Sequence, residues 1–193
     1  MKEEARVQVE GHVRIMSWAD TVDGTDMRVH LSKRNAIHKE NMATAIARAL
    51  AGQDSGHIYT MHFGTGGATV NALDAITYAT PNVTGSANLN IPVYSEVVDE
   101  LRGAPTGNQM SAIHSSGSLA ADVEIRCVID KTEPAGQATF DNVTTNLAGN
   151  FVFDEIGLKS DDGLLLTHIT FNPIQKTANR VYQVIYTIRV TIV

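Results

Sequence analysis

Seven histidines, one glycine-rich turn and a few serine- or acid-bearing stretches are the places where this sequence could do chemistry. The histidines are His12, His30, His38, His57, His62, His114 and His168. Zinc ligands come at short paired spacings on one scaffold element. His57 and His62 stand five positions apart in a segment with strand character, so they point to opposite faces. No His-Glu-x-x-His occurs, and the lone Cys127 alternates with Val and Ile as a small core residue does. The pattern predicts solvated or structurally bonded imidazoles and no metal ligand.

Gly64-Thr65-Gly66-Gly67 has the composition of a phosphate loop. Such a loop needs a following Lys with Ser or Thr to supply charge and hold a metal. Here Ala68-Thr69-Val70 follows, and the spacing also fails the dinucleotide fingerprint. A glycine-rich turn after a strand is the expected structure. His114-Ser115-Ser116-Gly117-Ser118 lacks the Gly-x-Ser-x-Gly frame of a nucleophile elbow. Glu155 has no partner acid apparent from the sequence, whereas a glycosidase sets two across a cleft. No catalytic residue, cofactor-binding residue or cofactor is assigned. Trp18 suits either a core or an interface anchor, where tryptophan is enriched.

The bulk composition bounds what these residues serve. Hydrophobic residues make up 43% and charged residues 19% of 193, which gives a globular chain able to bury a core rather than a disordered one. A net charge of −6, with no basic run beyond Lys33-Arg34, gives no electrostatic reason to bind nucleic acid or an anionic membrane. One cysteine rules out an intrachain disulfide. The opening MKEEARVQVE has no apolar signal-peptide core, so assembly in a reducing cytoplasm is expected and the Asn82 and Asn142 sequons carry no meaning.

Strict alternation dominates the organisation. The odd positions from Ala5 to Ile15, the set Val123, Ile125, Cys127 and Ile129, and the set Tyr182, Val184, Tyr186, Ile188, Val190 and Ile192 each form one apolar face. Weaker strands are expected near Met27–Leu31, His57–Phe63, Asn90–Tyr94, Phe151–Leu158 and Leu164–Phe171, with a hairpin at Asp162-Gly163. Residues 37–51 read as the one amphipathic helix, with Asn35 as a candidate cap, Met42, Ile46 and Leu50 on one face and a stop at Ala51-Gly52. Residues 64–107 form a loop-rich insertion with room for a short helix at Ala72–Tyr78 and for a strand end or helical turn at Val97–Leu101. The expected fold is mainly β: a single antiparallel β-sandwich-like domain over residues 1–193 with one helix packed on it.

Three segments together resemble structural proteins of tailed bacteriophages, of the neck, collar, tail-fibre-attachment and decoration type. The first is Asn35-Ala36-Ile37 with Ile46-Ala47-Arg48-Ala49-Leu50-Ala51-Gly52; the second is His57 to Gly66 followed by Thr69-Val70-Asn71-Ala72-Leu73-Asp74. The third is Phe153-Asp154-Glu155-Ile156-Gly157-Leu158, then Asp162-Gly163-Leu164-Leu165, Phe171-Asn172-Pro173, Lys176 and a strand ending in Ile188-Arg189-Val190. The resemblance implies a non-enzymatic β-sandwich-like virion part. It would be a homo-oligomer, in a ring or symmetric array, docked to other virion proteins of the head–tail junction or shell. The strong last strand, with no repetitive shaft after it, favours a neck, collar or head-decoration place over a fibre adaptor. A glycan-binding β-sandwich would need exposed aromatics, and these are only 6% of the chain. A hydrolase on a β scaffold would need an acid or triad constellation.

Inter-subunit contacts are expected in the 64–107 insertion and in the first few residues, which would stay disordered until a neighbour orders them.

Overall fold

The long alternating runs pair with one another in a computed structural model that describes residues 5–21, 24–73, 75–137 and 151–193. Asp74 and Asn142 lie outside the described residues. One five-stranded sheet has the order β2-β1-β12-β9-β8, built from Gly24–Arg34, Val7–Thr21, Val181–Ile192, Ala120–Ile129 and Gln109–His114. The second has the order β3-β11-β10-β4-β7, built from Ala36–Ile37, Leu165–Gln175, Val152–Ser160, Ile58–Gly64 and Pro92–Val97. A two-stranded ribbon, β5 (Ala68–Val70) with β6 (Ile76–Tyr78), stands apart from both. All pairings are antiparallel. The chain is therefore mainly β, an antiparallel sandwich-like fold with one helix among the described residues.

The inner faces are the ones the alternation marks. Val13 and Ile15 of β1, Val184, Tyr186 and Ile188 of β12, and Ile125, Cys127 and Ile129 of β9 face Met61, Phe63, Ile156, Leu158, Ile169 and Phe171 of the second sheet in one core. Each fully buried aliphatic or Phe side chain contributes about 1.5–3 kcal/mol relative to exposure. Phe63, Tyr94 and Phe153 pack as an aromatic cluster with ring centroids 5.0 to 6.3 Å apart. A void of about 10 Å³ remains between the sheets, no larger than one water.

Helix α1 covers Lys39–Leu50, two residues shorter at its start than expected. Ile37 belongs to β3, and the cap is His38, whose Nδ1 accepts from the Asn41 amide at 3.2 Å. Asn35 instead sits against Gly11, where a Cβ would come within 1.8 Å of its Oδ1. The buried face runs through Asn41, Met42 and Ala45, while Leu50 is exposed. The helix stops at Ala51 and Gly52, the latter at φ +65°.

Two further expectations change. Ala72–Tyr78 is not helical, because Asn71 Oδ1 accepts from the amides of Leu73 and Ala75 and closes a turn that competes with a helix. The β-branched Thr69, Val70, Ile76 and Thr77 then pair across the ribbon. Gln109–His114 forms β8, a strand without a sequence signal, since only Met110 of its six residues is partly buried against the core. The helical-turn option near Val97–Leu101 is met by a 3₁₀ turn at Glu100–Arg102. The Asp162-Gly163 hairpin joins β10 to β11 with Gly163 at φ +84°. Among the described residues no helix is long and apolar enough to cross a membrane.

Candidate functional site

The inward positions of β10 run Phe153, Ile156, Leu158, so the alternation slips by one residue. Between β10 and β11 the register shifts at the same place, from Phe153↔Ile174 to Glu155↔Thr170. A slip of one residue changes which face a side chain takes. Asp154 and Glu155 are thus neighbours in sequence that both leave the core, toward the outer face of the second sheet. His168 of β11 lies on that outer face, opposite Gly157.

All three side chains are buried, because residues 64–91 fold over them. Glu155 Oε2 accepts from the Asn90 amide (3.0 Å), from Asn90 Nδ2 (2.8 Å) and from His168 Nε2 (3.0 Å). Glu155 Oε1 accepts from the Ile91 amide at 2.8 Å. The Asn82 amide donates to His168 Nδ1 at 2.7 Å, so that nitrogen carries no proton and the ring is a neutral Nε2–H tautomer. Burial pushes the Glu155 carboxyl up. The His168 bond and the Ile91 and Asn90 amides outweigh it and hold the carboxyl below its usual range. Four donors around one carboxylate meet the requirement for burying a charge.

Asp154 does the same to the glycine turn. Its Oδ1 accepts from the Gly67 amide at 2.7 Å and its Oδ2 from the Ala68 amide at 3.1 Å. Burial holds its carboxyl above the usual range, against those two amides. The turn that resembles a phosphate loop does cradle an anion, and the anion is the chain's own carboxylate. Its glycines follow from the close approach: a Cβ at Gly67 would lie 2.3 Å from the Asp154 carbonyl oxygen, and one at Gly64 2.3 Å from Glu155 Oε1. Leu89 packs on Gly157, where a Cβ would meet its Cδ1 at 2.8 Å.

This clamp ties the described residues of 64–91 to the second sheet. Ala79 is tied to the Gly67 carbonyl (2.8 Å) and to Thr170 Oγ1 (2.9 Å), and Tyr78 hydrogen-bonds Asn172. His38 Nε2 donates to the Gly85 carbonyl at 3.0 Å. The expectation of a segment left open until a neighbour orders it does not describe these residues: the chain fastens them itself. Among polar residues such as Thr69, Asn71 and Thr77, the excursion also exposes the large apolar side chains of Val70, Leu73, Ile76, Tyr78 and Ile91.

The remaining histidines are dispersed. His12 faces Ser32 (3.3 Å) and His114 faces the Ala120 carbonyl (3.3 Å). His62 faces Thr60 Oγ1 (3.1 Å) and is pushed down to about 4 by burial and the Lys159 charge. It lines an open depression of about 410 Å³ with Pro92, Val93, Tyr94 and Ser95. His57 lies between Asp99 (3.6 Å) and Asp161 (3.7 Å). Among the described residues no group of three or more His, Cys, Asp or Glu could hold a metal ion.

Sequence reasoning did not find the contact of Ser17 Oγ with His30 Nε2 at 2.7 Å. Ser17 is fully buried, Arg180 Nε donates to its Oγ at 2.9 Å, and Asp26 is held by Arg180 at 2.7 Å. The acid serves the guanidinium, and the hydroxyl has no path to a substrate. Lys176 is likewise sealed, donating to Gln137 Oε1 (2.6 Å) and the Thr177 carbonyl (3.0 Å); burial holds it down to about 8. Cys127 is core, and its thiol is pushed well up by burial. Trp18 faces outward on β1, half-buried and opposite the exposed Met27.

In the comparisons with known proteins, no family model, no curated protein and no solved structure matches this chain.

Proposed function

We propose that this chain is a non-enzymatic structural component of a tailed-phage virion, assembling with copies of itself and docking to other virion proteins at the neck or collar. One observation carries the reading. The strongest polar cluster, Asp154, Glu155 and His168, directs its hydrogen bonds at fastening the 64–91 excursion, and that excursion exposes the apolar side chains of Val70, Leu73, Ile76, Tyr78 and Ile91. Exposed apolar patches on a rigid frame suit docking to protein. An enzyme would keep such an acid and imidazole open to a ligand. The Phe153-Asp154-Glu155-Ile156-Gly157-Leu158 ending that resembles phage virion proteins supports the same reading, and here it is the clamp itself.

Mass spectrometry of particles purified from the virus that encodes the chain is expected to recover it at fixed stoichiometry. Epitope labelling is expected to place it at the head–tail junction. Label along the shell or at the fibre bases would move it to a decoration or adaptor role. Its absence from purified particles, or a lone chain that binds glycans or turns over substrate, would overturn the proposal.

A further inference from the structure

The two sheets have four outer strands, and they are protected unequally. An unpaired strand edge templates pairing with another chain unless charge, proline, a bulge or shortness blunts it. β2 carries Asp26, Arg28, Lys33 and Arg34, and a register shift interrupts it opposite Ile15 and Met16. β7 begins at Pro92, includes Glu96 and has a shift at Phe63/Gly64. β3 is two residues long. β8, Gln-Met-Ser-Ala-Ile-His, runs six residues in unbroken register with β9 and holds no proline, lysine, arginine or acid.

The free groups of β8 can be assigned. Met110 donates its amide to Glu100 Oε2 at 2.6 Å, so that amide points away from β9. In an antiparallel pair the residues alternate between bonding the neighbour and facing away. Ala112 and His114 therefore also direct N–H and C=O outward, and among the described residues neither amide nor carbonyl has a backbone partner there. Exposed apolar side chains continue from this edge: Ile113, Leu119, Ile192 and Val193, with the Leu119 carbonyl bonded to the Ile192 amide at 3.0 Å.

We propose that β8 is the seam between two copies of this chain, joined antiparallel about a two-fold axis through Ala112 into one continuous ten-stranded sheet. The proposal deepens the reading above, and rests on it, by naming the strand through which copies meet. A second copy fits for two reasons. The side chains of β8 itself carry no charged group to repel its copy, and the two-fold sets Ala112 against Ala112 and Met110 against His114. That second pairing needs the Met110 amide, so in each copy the Glu100 carboxylate leaves it and turns to the partner's His114 imidazole. A six-residue strand is about 20 Å long and a sheet about 10 Å deep, giving about 200 Å² a side. Stable interfaces bury on the order of 600 Å² a side. The seam alone is thus weak, and Ile113 and Leu119 must add area. Such a contact holds when several act together in an array.

Sedimentation equilibrium on the full chain, from about 10 µM to about 1 mM, covers the corresponding range of Kd. The wild type is expected to form dimers within it. Ala112→Lys, which sets two charges face to face at an exposed position, is expected to weaken association at least tenfold with unchanged melting. Ala112→Cys is expected to form a disulfide-linked dimer on mild oxidation, because directly opposed residues that exchange hydrogen bonds lie about 5.5 Å apart. Gln109→Cys, away from the axis, is expected to cross-link little. A wild type that self-associates while Ala112→Lys leaves its affinity unchanged and Ala112→Cys does not cross-link sinks the seam and leaves self-assembly standing. A wild type that stays monomeric throughout sinks both.

Discussion

Replacing Glu155 by Gln tests whether the clamp is what orders the excursion. Glutamine fits the same space but brings an NH₂ where the carboxylate had an oxygen. Its carbonyl can keep the position of Oε2, which serves three donors, and the NH₂ then faces the Ile91 amide, donor against donor. One charge-assisted bond is lost, about 1.5–3 kcal/mol, and the other three weaken toward neutral strength. Relief from burying a charge offsets part of this. The net expectation is a loss of about 2–4 kcal/mol at pH 7, or about 5–15 °C in Tm for a chain of this size. Thermal unfolding by circular dichroism reads it, with Glu40→Gln on the exposed side of α1 as control. Hydrogen exchange adds a local reading: the amides of Gly67, Asn82, Asn90 and Ile91 should exchange faster in the variant. The pH dependence has a fixed sign. The folded Glu155 carboxyl is held below its ordinary 4.5, so its contribution is present above that value and lost as pH falls through the lowered one. The gap between wild type and variant must therefore shrink in acid. A Tm change under about 1 °C, or unchanged exchange at those four amides, would refute the reasoning.

Two further outcomes follow from single positions. Gly67→Ala drives a methyl into the Asp154 carbonyl at 2.3 Å, a backbone contact with little room to yield, and should cost at least about 1–3 kcal/mol in chemical denaturation; a neutral result would mean that the turn is not held as described. Glu96, nearly buried and hydrogen-bonded by Tyr94, is held above the usual carboxyl range by burial, so its contribution is present below 4.5 and lost as pH rises through the raised value. Glu96→Gln should gain stability relative to wild type on going from pH 4 to pH 8, and a constant difference across that range in paired melts would contradict the assignment.

The β class, the helix and the Asp162-Gly163 hairpin were legible because each rests on local chemistry: period-two burial, good helix formers, and residues that accept positive φ. β8 was not legible, since a strand with one partly buried side chain, Met110, leaves no alternation to read. The helix start was not legible because Asn35 has the residue type of a cap while His38 does not, and only the contact of Asn35 with Gly11 shows that its side chain is engaged elsewhere. The clamp left one trace in the sequence. Phe153, Ile156 and Leu158 break the alternation, and two adjacent acids sit in the break. That pattern announces a bulge with paired outward carboxylates. The amides that donate to them, those of Gly67, Ala68, Asn90 and Ile91, lie 64 to 87 positions away, and no local pattern reaches so far.

The span of those bonds bears on when the molecule becomes competent. The Gly67–Asp154 contact closes 87 positions of chain, and β10 must be zipped between β4 and β11 before its carboxylates stand in place. Contacts of such separation wait on the entropy of closing the loop, so they form late. The outward apolar row is therefore assembled only once the sandwich behind it is complete. If the chain assembles as proposed, a half-made copy would offer its neighbours no matching surface, and the late closure would act as a check on what can be incorporated.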